Sequence, residues 1–118
     1  MKRIHVAAAV IRGIDGRILI ARRADKQHQG GLWEFPGGKV EPQESVETAL
    51  ARELNEELGI VVKAARPLIK IKHDYPDKQV LLDVWEVSSF TGEPHGAEGQ
   101  PLAWVSNREL AGYDFPAA

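Results

Sequence analysis

Glu53, Glu56 and Glu57 stand close together in the stretch GGKVEPQESVETALARELNEELGI (37–60), which otherwise has the pattern of one amphipathic helix. Like charges at that spacing repel. Val46, Leu50, Leu54 and Leu58 form the apolar stripe, and on a helical wheel the three acids group at about 90° from it, at the margin of the core. Unpaired carboxylates in such a poorly solvated place raise one another's pKa and cost stability. A divalent cation removes the conflict, because carboxylate oxygens are the hard ligands that Mg²⁺ and Mn²⁺ prefer. In isolation a Glu-rich helix is usually a solvated face, and Arg52 to Glu56 is an ordinary i,i+4 ion pair. Here Gly37 and Gly38 precede the helix. With no side chains to obstruct it, their backbone is expected to form a nest of amides for an anion, and Lys39 adds a cation at the same place.

These groups have to be positioned by the elements around them. Glu41, Pro42 and Ser45 are helix-initiation signals, and Leu58, Gly59 and Ile60 give a glycine stop followed at once by β-branched residues. Upstream, IHVAAAVIR (4–12) and GRILIARR (16–23) flank the turn signal GIDG, and are expected as two strands of a hairpin or as neighbours in one sheet. DKQHQGG (25–31) reads as a polar loop, and LWEF (32–35) as a brief strand stopped by Pro36. Downstream, IVVKAARPLIKIKHDY (60–75) and KQVLLDVWEVSSF (78–90) are strand-like, with YPDK as their turn. TGEPHGAEGQP (91–101) is a loop and LAWV (102–105) a last strand. SNRELAGY (106–113) is a short helix with Ser106 as N-cap and Glu109 completing a capping box. Strands before and after a central helix predict an α+β or mixed α/β domain.

The bulk properties narrow the function. A chain of 118 residues, 43% apolar and 27% charged, suits one soluble globular domain with a single modest core. No apolar run approaches membrane-spanning length, and MKRIHVAAAV lacks the long apolar region of a signal peptide, so a cytoplasmic protein without membrane contact is expected. The absence of cysteine excludes disulfides, thiolate metal sites and cysteine nucleophiles. Net charge is −2 with the basic residues dispersed, so there is no electrostatic footprint for stable nucleic-acid binding. An acidic protein that takes an acidic substrate needs a cation between them.

Gly38, Glu44, Arg52, Glu53, Leu54, Glu56, Glu57, Gly59 and Ile60 match the Nudix box at every specified position. Nine positions at fixed spacing are a specific signal, and the chain is similar to the Nudix hydrolases. Outside the box, ARR (21–23), EFPGGK (34–39), EGQP (98–101) and DFPAA (114–118) resemble the MutT-like branch, so the likeness runs over nearly the whole chain. The resemblance implies an α/β/α sandwich with a mixed β-sheet. It also implies a pyrophosphohydrolase that converts 8-oxo-dGTP to the monophosphate and pyrophosphate, sanitising the nucleotide pool against replication errors. The metal ligands implied are Glu53, Glu56, Glu57, the carbonyl of Gly37, and Glu98, holding Mg²⁺ or alternatively Mn²⁺. Glu53 is the first choice for general base and Glu98 the second, while Arg52 orients a neighbouring glutamate and Glu44 supports the loop. The substrate contacts implied are Arg23, His28, Glu34, Phe35, Pro36, Gly37, Gly38 and Lys39, although an aromatic before a proline is more often core. Trp33, Trp85 and Trp104 are read as core or edge packing. The partner expected is a small nucleotide, and the protein is expected to work as a monomer. Other readings are a general Nudix hydrolase for ADP-ribose, dinucleoside polyphosphates or RNA 5′ ends, and a nucleotide-binding module without catalysis. The complete carboxylate set weighs against the last.

The sequence departs from the MutT-like pattern at one place. There the DFP.A segment is followed by an asparagine that reads the base edge, and that position falls just past Ala118. The favoured expectation is a single domain over 1–118, truncated at its C-terminus before that asparagine and before a final apolar segment; the alternative is that base discrimination is lost.

Overall fold

The computed structural model describes residues 2–22, 32–110 and 112. In chain order the elements are β1 (Lys2–Ile11), β2 (Ile18–Arg22), β3 (Trp33–Glu34), β4 (Gly37–Lys39), α1 (Val46–Leu58), β5 (Val61–Tyr75), β6 (Lys78–Thr91), β7 (Leu102–Val105) and α2 (Asn107–Leu110). A four-stranded sheet runs β4-β1-β6-β5, and a three-stranded sheet runs β3-β2-β7. The larger sheet is mixed, since β1 lies parallel to β6 while β4 and β5 run antiparallel to their neighbours.

Alternation along β1 explains its unbroken apolar run. Ala7, Ala9 and Ile11 turn to one face and pack with Leu50, Leu54 and Leu58 of α1, and with Leu19, Ile60 and Val87. Ala8 and Val10 turn to the other, where Ile18 and Val84 join them and Phe35, Leu82 and Leu110 of α2 close over the cluster. A strand buried on both faces has no polar side to show. The alanines leave room for α1 to approach the sheet closely. The sheet therefore lies between the two helices, as the sandwich reading requires.

Helix α1 begins and ends where its local signals place it. The Ser45 hydroxyl accepts from the Thr48 N–H at 3.1 Å, and Gly59, at φ 71°, caps the other end by donating its N–H to the Asn55 carbonyl at 3.0 Å. At α2 the capping box forms reciprocally. Ser106 N–H donates to Glu109 Oε1 at 2.9 Å, and Glu109 N–H donates to Ser106 Oγ at 3.1 Å. The β5–β6 hairpin turns between Tyr75 and Lys78. Pro67, which has no N–H for a ladder, is tolerated because β5 is an edge strand with register irregularities on either side.

Two expectations need correction. The GIDG turn forms, with Gly13 N–H on the Arg17 carbonyl at 2.9 Å, but β1 and β2 share only one bridge, Arg12↔Ile18, and belong to different sheets. Both edges of β1 are already taken, by β4 over three residue pairs and by β6 over ten. So β2 leaves to pair with β3 and β7. Secondly, Gly37, Gly38 and Lys39 form a strand rather than a nest, in register with Ala8, Ala7 and Val6. Among the described residues, no helix is long and apolar enough to cross a membrane.

Candidate active site

The site is built on the face of α1 that borders β4. Arg52 is its organising cation. Its Nε donates to Glu44 Oε2 at 2.8 Å, Nη2 to Glu44 Oε1 at 3.0 Å and to the Lys39 carbonyl at 3.2 Å, and Nη1 to Glu53 Oε1 at 2.8 Å. The bidentate grip holds the Glu44 carboxyl well below its usual 4.5, at about 2, and the acids push the guanidinium's own pKa up. Glu44 also accepts from the Glu41 N–H at 3.0 Å, which closes the turn leading into the helix. One arginine thus ties loop, strand edge and helix together.

Glu53 and Glu57 lie half-buried one turn apart, and burial of Glu57 with the Glu53 carboxylate against it raises the Glu57 pKa from 4.5 to about 9. The charges of Glu34 and Glu98 add to the rise. Acids from α1, β3 and the 91–101 loop thus act on Glu57 together, while Arg52 grips Glu53. Glu56 stands apart from this group, its side chain 56% exposed and its carboxylate 3.7 Å from Arg52 Nη1. Among the described residues no three acid or imidazole groups converge as a ready-made cage. The crowding of Glu53 and Glu57 on one helix face is nevertheless the donor chemistry that suits a hard divalent ion.

The two glycines serve this cluster in different ways. A Cβ on Gly38 would lie 2.5 Å from Oε2 of Glu53, so only glycine lets that carboxylate rest directly on the backbone of β4. A Cβ on Gly37 would collide with the Ala7 carbonyl oxygen, and its φ of 152° also favours glycine. Pro36 accepts from Ala9 N–H and Val40 donates to the His5 carbonyl, so the ladder's alternation turns Gly37 and Lys39 toward the outer edge of β4. The Lys39 carbonyl there receives Arg52, and the Gly37 carbonyl faces the same side.

The 91–101 loop closes the far end. His95 N–H donates to the Leu58 carbonyl at 3.1 Å, and Ala97 N–H to the Glu57 carbonyl at 3.0 Å. Gln100 Nε2 donates to the same Glu57 carbonyl at 3.0 Å, while Gln100 Oε1 accepts from the Glu98 N–H at 3.0 Å. These are the last carbonyls of α1, which have no partner within the helix. Gln100 and Gly59, whose missing Cβ makes room for the His95 ring, were not singled out for the site from sequence. An amide side chain two residues beyond an expected ligand was the available signal.

The expected substrate contacts are scattered. Glu34 lies with the acids of α1, Pro36 is fully buried, and Phe35 packs on the opposite face of the sheet. Lys39 is exposed. Arg23 and His28 lie outside the described residues, as does the DFPAA segment.

A mixed sheet carrying this carboxylate helix over a glycine strand defines the class: the chain belongs to the NUDIX domain family, whose model matches residues 7–118. It is a Nudix hydrolase, of a kind that generally uses divalent metal ions. It is 42% identical to the 8-oxo-dGTP diphosphatase of Escherichia coli K12 over 118 residues, covering all of this chain and 92% of that protein. It is also 42% identical to the CTP pyrophosphohydrolase of the same organism, again over the whole chain and over 87% of the relative. Among solved structures, a MutT from a study of Aliivibrio salmonicida and Vibrio cholerae superposes with a TM-score of 0.86 at 45% identity, covering 98% of this chain and 89% of that one.

Proposed function

We propose that this chain is a metal-dependent nucleoside triphosphate pyrophosphohydrolase of the cytoplasmic nucleotide pool, converting 8-oxo-dGTP to 8-oxo-dGMP and pyrophosphate. The observation that carries the reading is the seating of Glu53, held by Arg52 and resting on Gly38, with Glu57 one turn further along the same helix. Glu53, Glu56, Glu57, Glu98 and the Gly37 carbonyl would hold Mg²⁺, or Mn²⁺ in its place. A divalent ion there supplies positive charge to the phosphate oxygens and acidifies water.

The chain's own residues do the rest. Arg52 fixes one oxygen of Glu53, and so sets the direction in which that carboxylate accepts a proton. We assign Glu53 as general base toward the attacking water, with Glu98 as the second choice. Arg52 and Glu44 act by position, since neither needs to touch the substrate for the clamp to work. Arg23, His28 and Phe35 are assigned to the nucleotide. The partner is a small nucleotide, met by a monomer.

A second reading has support of its own. The CTP pyrophosphohydrolase is as similar to this chain as the 8-oxo-dGTP diphosphatase, at 42% each. Both readings release pyrophosphate; they differ in the base. Pyrophosphate release from 8-oxo-dGTP, dGTP, CTP and ADP-ribose at equal concentration with Mg²⁺ separates them. The highest kcat/KM is expected for 8-oxo-dGTP. A higher value for CTP moves the assignment to the pyrimidine, and ready cleavage of ADP-ribose with none of the triphosphates overturns both.

A further inference from the structure

The acid proposed as the last metal ligand, Glu98, comes from a loop that starts more than thirty residues after α1, and nothing in its own side chain ties it to the helix. Its backbone is tied instead. Glu98 sits in a turn closed by Gly99 N–H on the Gly96 carbonyl at 2.9 Å, with Gly99 at φ 82°. Gly96 is pressed against the Gln100 carbonyl, where a Cβ would collide, so the loop folds back tightly on itself. Gln100 then spans the gap with both ends of one amide: it donates to the Glu57 carbonyl and accepts from the Glu98 N–H, each at 3.0 Å. Ala97 N–H shares the Glu57 carbonyl.

We infer that Gln100 is a positioning residue, whose side-chain amide sets the distance between Glu98 and the Glu57 end of α1 and so completes the acidic site. The inference rests on the assignment of Glu98 to the metal. A primary amide suits both links, because its NH₂ supplies the donor for one bond and its oxygen the acceptor for the other. Ala97 N–H holds the loop to the helix without Gln100, so losing the amide frees Glu98 without releasing the loop. Gln100 is half-buried and its amide reaches Glu57 and Glu98 through backbone atoms alone, so it leaves their carboxylates free.

The test is a double-mutant cycle between Gln100→Leu and Glu98→Gln, read in Mn²⁺ affinity by calorimetry, in kcat for 8-oxo-dGTP, and in exchange of the Glu98 amide in the metal-free protein. Gln100→Leu alone is expected to weaken Mn²⁺ binding and kcat by roughly tenfold to a hundredfold, as losses of supporting hydrogen bonds do at metal sites. It is also expected to speed Glu98 amide exchange. In the Glu98→Gln background it should change affinity and kcat less than twofold, since the group it positions is gone. If Gln100→Leu does not fold, Gln100→Glu carries the same cycle, because it keeps the acceptor for Glu98 N–H and sets an oxygen against the Glu57 carbonyl. Equal losses in both backgrounds, or a lower Tm with unchanged Mn²⁺ affinity, would make Gln100 a clip for the fold and overturn the inference alone. Unchanged Mn²⁺ affinity in Glu98→Gln itself would overturn the assignment of Glu98, and the inference with it.

Discussion

The two ends of α1 are held by opposite chemistry. At its start, the turn carrying Glu44 is clamped by Arg52, the middle residue of the helix, which also grips Glu53, with charged hydrogen bonds among residues close in sequence. Toward its end, the carbonyls of Glu57 and Leu58 are met by neutral N–H groups of Ala97, Gln100 and His95 from a distant loop. A basic residue in the last turn would be the usual complement to the helix dipole, and α1 has none there. A lysine or arginine at that point would pair with Glu57 and compete with a metal. Charge is used where side chains must be aimed, and neutral amides where acids must be kept available.

The largest effect expected is at the aimed carboxylate itself. Glu53→Gln should lower kcat by about 10²–10⁴-fold, the usual worth of a general base. Its Tm should fall only slightly, because glutamine keeps an oxygen for Arg52 and gives up only the charge of that pair. Pyrophosphate release and calorimetry measure the two, and an unchanged kcat passes the role to Glu98. Next comes the strand beneath. Gly38→Ala meets only the movable tip of Glu53, so activity should drop roughly tenfold to a hundredfold while Tm holds. Gly37→Ala meets the Ala7 backbone and should instead destabilise the fold by about 1–3 kcal/mol in urea unfolding. The reverse pattern would show that Gly38, and not Gly37, is the structural member of the pair.

The pH dependence separates the charged end from the neutral one. Glu44 has a folded pKa of about 2 against an ordinary 4.5, so between these values the unfolded chain binds more protons. The clamp's contribution is therefore complete above the ordinary carboxylate range, and is lost as pH falls toward 2. Arg52→Gln should flatten the dependence of Tm on pH across that window, whereas Gln100→Leu should leave the slope as it is. If both variants flatten it alike, the contrast between the two ends fails. The smallest effect belongs to Ser45→Ala, which removes the N-cap bond to Thr48 and should cost about 1 kcal/mol of stability by urea unfolding without a change in kcat.

Reading along the chain reached α1, both of its caps, the α2 capping box and the β5–β6 turn, because each is decided by side chains within a few residues. The crowding of Glu53 with Glu57 was legible for the same reason, since helical periodicity puts residues four apart on one face. The glycine pair was legible as special but not as a strand. Pairing β4 with Ala7 and Ala8 brings together residues about thirty positions apart, and nothing in GGK itself signals that partner.

What the amino-acid sequence determined by itself was the local set: a capped helix with acids at the core's margin, the apolar strands, and the spacing that marks the family. Tertiary structure alone decided that β2 leaves β1, because β4 and β6 occupy both edges of that strand. It alone buried Glu57 against Glu53 and brought Glu34 and Glu98 to Glu57, whereas the turn of Glu56 toward Arg52 follows the local i,i+4 spacing. The physical reason is reach. Caps, turns and periodicity act through the next few peptide units, whereas edge competition and the meeting of acids from separate elements depend on which distant groups the sheet has already brought together.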